Sequence, residues 1–301
     1  LVLGALLVGA GYGMATPAAS LVLAKVTPPG MRGVIFSVKQ SAVPLGGAVA
    51  GLTVPALAEA ADWRIAIGAS VAIVIAASLT LLPLRKALDT HLDTTAQVTM
   101  SSMLGNVTMV WRHAGLRALA CVAFTYAAVQ VGLFALYVTI LVEAAARDLI
   151  QAGYCYAVMQ GVGVGARIFW GWVTDKFVSA NMVLAGLGVV AIAGCALLTQ
   201  IDASWSMPEL LALSAVLGSS IIGWNGVYLA QIPRLVDLPQ VSTATAGTVL
   251  FSFAGVVLGP AFMALSQTVT GAYWSAFWAL NAMVLLTIVY LLYQRRPDKI
   301  T

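Results

Sequence analysis

Apolar segments of about 20 residues, the length needed to cross a hydrocarbon core of about 30 Å, recur along the chain between short polar breaks. They fall near 1–24, 33–57, 64–84, 117–142, 150–173, 180–200, 208–230, 243–268 and 273–294, which predicts nine membrane-spanning helices and an all-α fold. Two breaks are brief: 143–150 (EAAARDLI) reads as a short turn and 231–242 as a polar, Pro-flanked loop. The stretch 85–116 is the long hydrophilic connection that divides the chain. Within it Met100, Met103, Leu104, Val107, Val110 and Trp111 follow helical spacing, which predicts a short helix lying on the membrane surface.

Composition agrees with this pattern. Hydrophobic residues make up 61% of the 301 positions and charged residues only 9%, against about 25% charged in a soluble domain. A large water-facing surface cannot be built from that inventory, so the class is polytopic membrane protein. The basic balance, a net charge of +4, is scattered between apolar spans rather than gathered on a patch. It argues for positive-inside topology and against nucleic-acid binding. Cys121, Cys155 and Cys195 lie in three different spans without metal-ligand spacing, and read as structural thiols. His91 and His113 sit in the hydrophilic connection, where a solvated role is the default.

Loop charges orient the chain. Lys25, Arg32, Arg85, Lys86, Arg112, Arg117, Lys176, Arg234 and the tail residues Arg295, Arg296 and Lys299 fall on one side. Glu59, Asp62, Glu143, Asp148, Asp202 and Glu209 fall on the other, with only Arg64 and Arg147 as basic members. The Lys/Arg-rich side is cytoplasmic, and it holds the C-terminus. The expected location is a bacterial inner membrane.

The chain also repeats itself. GYGMATPAAS (11–20), then RG and the helix bearing Lys39, resembles GWNGVYLAQ (223–231), then AG and the span 247–268, at an offset of about 213 residues. Parallel repeats of membrane helices are a transporter feature. The second copy starts near Arg117. Projecting that start back by the offset puts the first copy's start roughly 95 residues ahead of Leu1, room for three further helices and twelve in all. Leu1 itself stands within an apolar run, so the sequence reads as truncated at its front.

At this point the chain resembles the major facilitator superfamily, whose members join two six-helix bundles by a long cytoplasmic loop. Gly171-Trp172-Val173-Thr174-Asp175-Lys176 matches the family's G-x-x-x-D-[RK] loop, here in the second bundle. Pro44, Gly46, Gly47 and Gly51 stand where the family has a glycine/proline-rich bend in its fifth helix, and the repeat partner carries Gly255, Gly259 and Pro260. Val43 stands where the family's antiporter signature has glycine directly before proline, which speaks against drug/proton antiport. The resemblance implies a division into 1–84 (remainder of the first bundle, its fourth to sixth helices), 85–116 (cytoplasmic linker) and 117–301 (second bundle and short tail).

The resemblance also assigns a gate. Asp175 would bond the N-terminus of the Lys39 helix near Gly33 in one state and release it in another; its alternative is a solvated loop acid paired with Lys176. Pro44, Gly46, Gly47, Gly171, Gly259 and Pro260 belong to the moving scaffold.

Candidate binding residues come from polar groups at membrane depth, which are costly and need a reason. Lys39 lies seven residues after Arg32, about 10 Å along a helix. It is either a fixed cation in a central cavity or a side chain that snorkels to the interface; Gln40 beside it favours the cavity. Arg167 shares one helix face with Tyr156, Gln160 and Gly163. By the family's arrangement that face looks across at Lys39, with local snorkelling or pairing near Asp175 as the alternative. Tyr126 and Gln130 form a similar stripe with Tyr137, and Asn225 and Tyr228 another, each member alone reading as helix–helix glue.

The leading expectation is a secondary transporter moving a small anionic organic solute by alternating access, with a proton or ion as coupling partner. It needs no cofactor and sits in the bilayer as a monomer. The alternatives are a transport-inactive fragment or a transporter-derived sensor or scaffold. A membrane-embedded enzyme would need a His, Asp, Glu, Ser or Cys cluster at depth, and a primary pump a GxxxxGK[ST] loop; neither pattern occurs.

Overall fold

The computed structural model describes residues 2–84, 100–272 and 274–294, and all regular structure among them is helical. The elements are α1 (Val2–Val26), α2 (Arg32–Ala60), α3 (Trp63–Leu81), α4 (Met100–Arg112), α5 (Ala114–Glu143) and α6 (Leu149–Lys176). They continue with α7 (Ala180–Leu198), α8 (Met207–Leu217), α9 (Trp224–Leu235), α10 (Val241–Thr270) and α11 (Trp274–Tyr293). A π segment, Gly218–Ile222, joins α8 to α9 within one span, Met207–Leu235. Seven described helices are long and apolar enough to cross a membrane. The chain is therefore an integral, multi-pass membrane protein. Of the other two expected spans, α1 and α6 are helices of 25 and 28 residues.

Two expectations need correction. The stretch 231–242 is not a loop throughout: α9 runs to Leu235, and a 3-10 turn, Leu238–Gln240, leads directly into α10. Ile232 is fully buried, and Arg32 Nη1 donates to the Pro233 carbonyl at 3.0 Å, so packing and an external donor hold helical a stretch that composition marks as a break. The fifth-element span also starts earlier than 117, because His113 caps it, its ring Nδ1 accepting from Leu116 N at 3.3 Å. Residues 85–99, including His91, and the basic tail from 295 lie outside the described residues.

The short helix predicted before the fourth span is α4. It docks on α10 through buried Val110, which faces Gly247, while Trp111 stacks on Phe251 at 6.4 Å between ring centroids. Arg117 ties this corner together, donating to the Trp111 carbonyl at 3.0 Å and to Tyr290 Oη at 2.7 Å.

Two helix pairs form the frame. Within the second half, α5 and α10 approach until Gly255 faces the backbone of Phe124 and Gly259 that of Ala128. Between the halves, α2 and α6 run antiparallel along their length. The α2 face is Gly33, Ser37, Gln40, Ser41 and Pro44, continued by Gly47 and Gly51. The facing residues of α6 are Gly153, Ala157, Gln160, Arg167, Gly171 and Thr174. Steps of three and four keep each set on one side of its helix. A Cβ on Gly153 would lie 2.7 Å from the Gly51 carbonyl oxygen, and one on Gly171 would strike the Gly33 backbone. Small residues permit such contact where lipid supplies no hydrophobic drive between helices.

The two helices' glycines differ in what they face, and this is testable. Gly46 has nothing within 4 Å of a built Cβ. Gly46→Ala is expected to leave the thermal midpoint in detergent unchanged or raise stability by up to about 1 kcal/mol, the helix-propensity gain. Gly171→Ala forces the helices apart and should cost about 1–3 kcal/mol. Equal midpoints for the two variants would contradict the packing described.

Candidate functional site

The cytoplasmic end of the α2–α6 pair is closed by one carboxylate. Asp175 ends α6 as its penultimate residue, and its side chain is 1% exposed. Oδ1 accepts from Gly33 N and Oδ2 from Val34 N, both at 2.9 Å. These amides belong to the first turn of α2, where N–H groups have no intrahelical partner and the helix dipole favours a negative charge. Arg234, near the end of α9, donates to Oδ1 at 2.7 Å. Lys176, the alternative partner, is exposed, and Arg234 takes its place. The sequence marks Arg234 only as a topology charge. Nothing in its local sequence links it to a residue 59 positions away.

Nearer the middle of the pair lies a polar cluster. Gln40 Nε2 donates to Asn225 Oδ1 of α9 at 3.1 Å. Gln160 Nε2 donates to Tyr156 Oη at 2.7 Å, and the Gln160 amide carbon would lie 2.8 Å from a Cβ on Gly47. Ser41 Oγ donates to the Ser37 carbonyl at 2.8 Å and lies 3.4 Å from that of Val164. Gln160 Oε1 and Ser37 Oγ are buried with no hydrogen-bond partner among the described residues. Lys39 is half-buried one position from this face, and no partner for its ammonium appears among the described residues.

Arg167 is 1% exposed. Its Nε donates to the Ile222 carbonyl at 2.8 Å and its Nη1 to the carbonyl of Gln40. Trp170, one turn on, donates from Nε1 to the Ser219 carbonyl at 3.2 Å. These carbonyl oxygens orient the guanidinium. Two basic side chains thus flank Gln40: Lys39 precedes it in sequence, and Arg167 touches its backbone.

The remaining candidates sit elsewhere. Tyr126 Oη donates to the Leu184 carbonyl at 2.7 Å, and Gln130 Oε1 accepts from Trp224 Nε1 at 2.9 Å. Tyr137 shares a 2.6 Å bond with Ser214. Tyr228 is buried beside Trp224, ring centroids 5.5 Å apart. This group ties α5, α7, α8 and α9 to one another inside the second half. A small pocket, no larger than a water molecule needs, lies there too, lined by Tyr126, Val129, Ala191, Ser220, Ile221 and Val284. Gly259 and Pro260 belong to the α5–α10 contact. Pro44, Gly47 and Gly171 belong to the α2–α6 contact, and Gly46 faces open space.

The architecture, α1–α3 meeting the rest of the chain along α2 and α6 with a buried carboxylate at one end, is that of an all-helical, multi-pass membrane protein. The Major Facilitator Superfamily sequence model matches residues 1–245. The chain belongs to that family. Among solved structures it is similar to a point variant of the E. coli fucose:proton symporter FucP, at 14% sequence identity and a TM-score of 0.57. The match covers 79% of this chain and 58% of the symporter chain, so the protein spans little more than half of that relative's length. No curated protein shows a significant sequence match.

Asp175→Asn would place an amide N–H against the Gly33 or Val34 N–H. A charge-assisted hydrogen bond contributes about 1.5–3 kcal/mol. Amide hydrogen exchange at Gly33 and Val34 should therefore accelerate by about tenfold or more, with exchange in the middle of α5 unchanged. Unaltered exchange at both amides would show that Asp175 does not cap α2.

Proposed function

We propose that the protein is a secondary transporter that moves a small anionic organic solute by alternating access, coupled to a proton or another ion. Membership of the family over residues 1–245 carries the transport reading. In this reading residues 1–84 are the remainder of one bundle, 85–116 the linker and 117–301 the second bundle. The α2–α6 contact is the seam along which the bundles rock. The structural relative is named for proton-coupled fucose transport, which supports a coupled mechanism for this chain and leaves its own solute to be read from its residues.

The anionic preference rests on one observation, the half-buried Lys39 beside Gln40. An anion beside Lys39 is attracted by its ammonium, and in a water-poor site such attraction is far stronger than in bulk solvent. Gln40, Asn225 and Gln160 offer neutral hydrogen bonds beside it. The unpartnered Gln160 Oε1 and Ser37 Oγ supply further bonding capacity once the seam loosens. Tyr126, Gln130 and Tyr228 would contribute only by giving up contacts inside their own bundle.

The gate follows from Asp175. Its carboxylate holds α2 and Arg234 together on the side that the Lys/Arg distribution assigns to the cytoplasm, with the C-terminus on that side of a bacterial inner membrane. Opening toward the cytoplasm must break those bonds. Pro44, Gly47 and the Gly259-Pro260 step let the packed helices bend and slide, Gly46 adds backbone freedom on the open side of α2, and Lys176 is free to meet solvent or lipid headgroups. The transporter works as a monomer in the bilayer.

Uptake of radiolabelled organic mono- and dicarboxylates by proteoliposomes carrying the complete gene product tests this. At least one carboxylate should be taken up in preference to neutral sugars, and Lys39→Ala should reduce its uptake about tenfold or more. Uptake of sugars alone, or carboxylate uptake indifferent to Lys39→Ala, would refute the anion site.

A further inference from the structure

Two breaks in regular helix face each other across Arg167. The first is in α2. A helical carbonyl at position i accepts from the N–H at i+4, and the residue four after Gln40 is Pro44, which has no amide proton. The Gln40 carbonyl is therefore left without its helical donor at a depth where water is scarce. Arg167 Nη1 donates to that carbonyl. The second break is the π segment, Gly218–Ile222, in the span of α8 and α9. A π segment interrupts the regular i→i−4 ladder, and such segments recur at functional sites. Arg167 Nε donates to the carbonyl of Ile222, its last residue, and Trp170 Nε1 to the carbonyl of Ser219. Buried carbonyls need partners, and one face of α6 serves both breaks.

These two bonds differ in what they span. Ile222 lies in the same half of the molecule as α6. Gln40 lies in the other half, across the seam. We infer that Arg167 is a positioning residue: its guanidinium stays seated on the π segment and acts as a releasable donor to the proline-freed carbonyl of Gln40, so that the Pro44 break and the α2–α6 seam are energetically coupled through one side chain. When α2 moves away, the Gln40 carbonyl loses its donor, and water or a hydrogen-bond donor on the solute must replace it. The inference extends the alternating-access reading, but its test measures stability and hydrogen bonding rather than transport.

The coupling predicts a specific rescue. Pro44→Ala restores an amide proton four residues after Gln40, which makes the Arg167 bond redundant. Four forms of the full chain are compared in detergent at one scan rate: wild type, Arg167→Gln, Pro44→Ala and the double variant. Arg167→Gln is expected to lower the apparent thermal midpoint by roughly 4–8 °C. In the Pro44→Ala background the same substitution should lower it by clearly less, because only the bond to Ile222 is then lost without replacement. A carbon-13 label at the Gln40 carbonyl reads the bond directly: its infrared band should shift upward in Arg167→Gln and return in the double variant.

Where Arg167→Gln yields too little folded protein, Arg167→Lys retains the charge but not the fork, and the same two backgrounds are compared with it. Equal midpoint losses with and without Pro44, or a carbonyl band unmoved by loss of Arg167, would overturn the inference. Loss of carboxylate uptake with intact coupling, or the reverse, separates the anion-site proposal from this one.

Discussion

Everything distinctive about this protein depends on how closely α2 and α6 approach. Gly33 meets Gly171 and Gly51 meets Gly153 with no room for a methyl group between them. That closeness brings the Asp175 carboxylate onto the first amides of α2, lets Arg167 reach the Gln40 carbonyl, and sets Gln160 against Gly47. A Cβ at Gly33, Gly153 or Gly171 would meet backbone of the facing helix and force the pair apart, stretching the hydrogen bonds between them. Packing comes first here, and the polar geometry follows from it.

The polar groups along the contact are arranged by depth. At the cytoplasmic end a full negative charge meets helix N–H groups and an arginine, an interaction that is strong when buried and readily exchanged for water when opened. In the middle, Arg167 meets the carbonyl that Pro44 leaves without a helical donor and the last carbonyl of a π segment. Further along, the contact is glycine against backbone and proline ring, with Gly153 facing Pro55.

Much of this was legible in the sequence, for physical reasons. Hydropathy and span length located the helices because the bilayer imposes both. The Asp175 contact with the start of α2 was expected from the resemblance, and the bonds to Gly33 and Val34 are present. Arg167 was visible as a charge at depth, but its partners were not, because a carbonyl has no side-chain signature. The clue lay in Pro44, four residues after Gln40. The π segment was hidden in an ordinary apolar run; the small residues Gly218, Ser219, Ser220 and Gly223 were its only trace. Residues 231–235 read as a loop because Pro and Arg mark breaks, whereas Ile232 and Leu235 hold them in the bundle. The tyrosine and glutamine stripe of α5 was correctly periodic, yet periodicity could not say whether it faced a cavity or other helices. The structure places Tyr126 and Gln130 against Leu184 and Trp224.

The central claim is that the α2–α6 contact is a moving seam rather than a fixed core. Met31 and Phe177 are exposed at its cytoplasmic end, on opposite sides of the Asp175 bonds. Spin labels at these two positions, in a background with Cys121, Cys155 and Cys195 replaced, report their separation by double electron–electron resonance in lipid. A moving seam predicts two distance populations whose ratio shifts toward the longer one in Asp175→Asn and responds to transported solute. A single short distance, unchanged by Asp175→Asn and by every solute taken up, would contradict it.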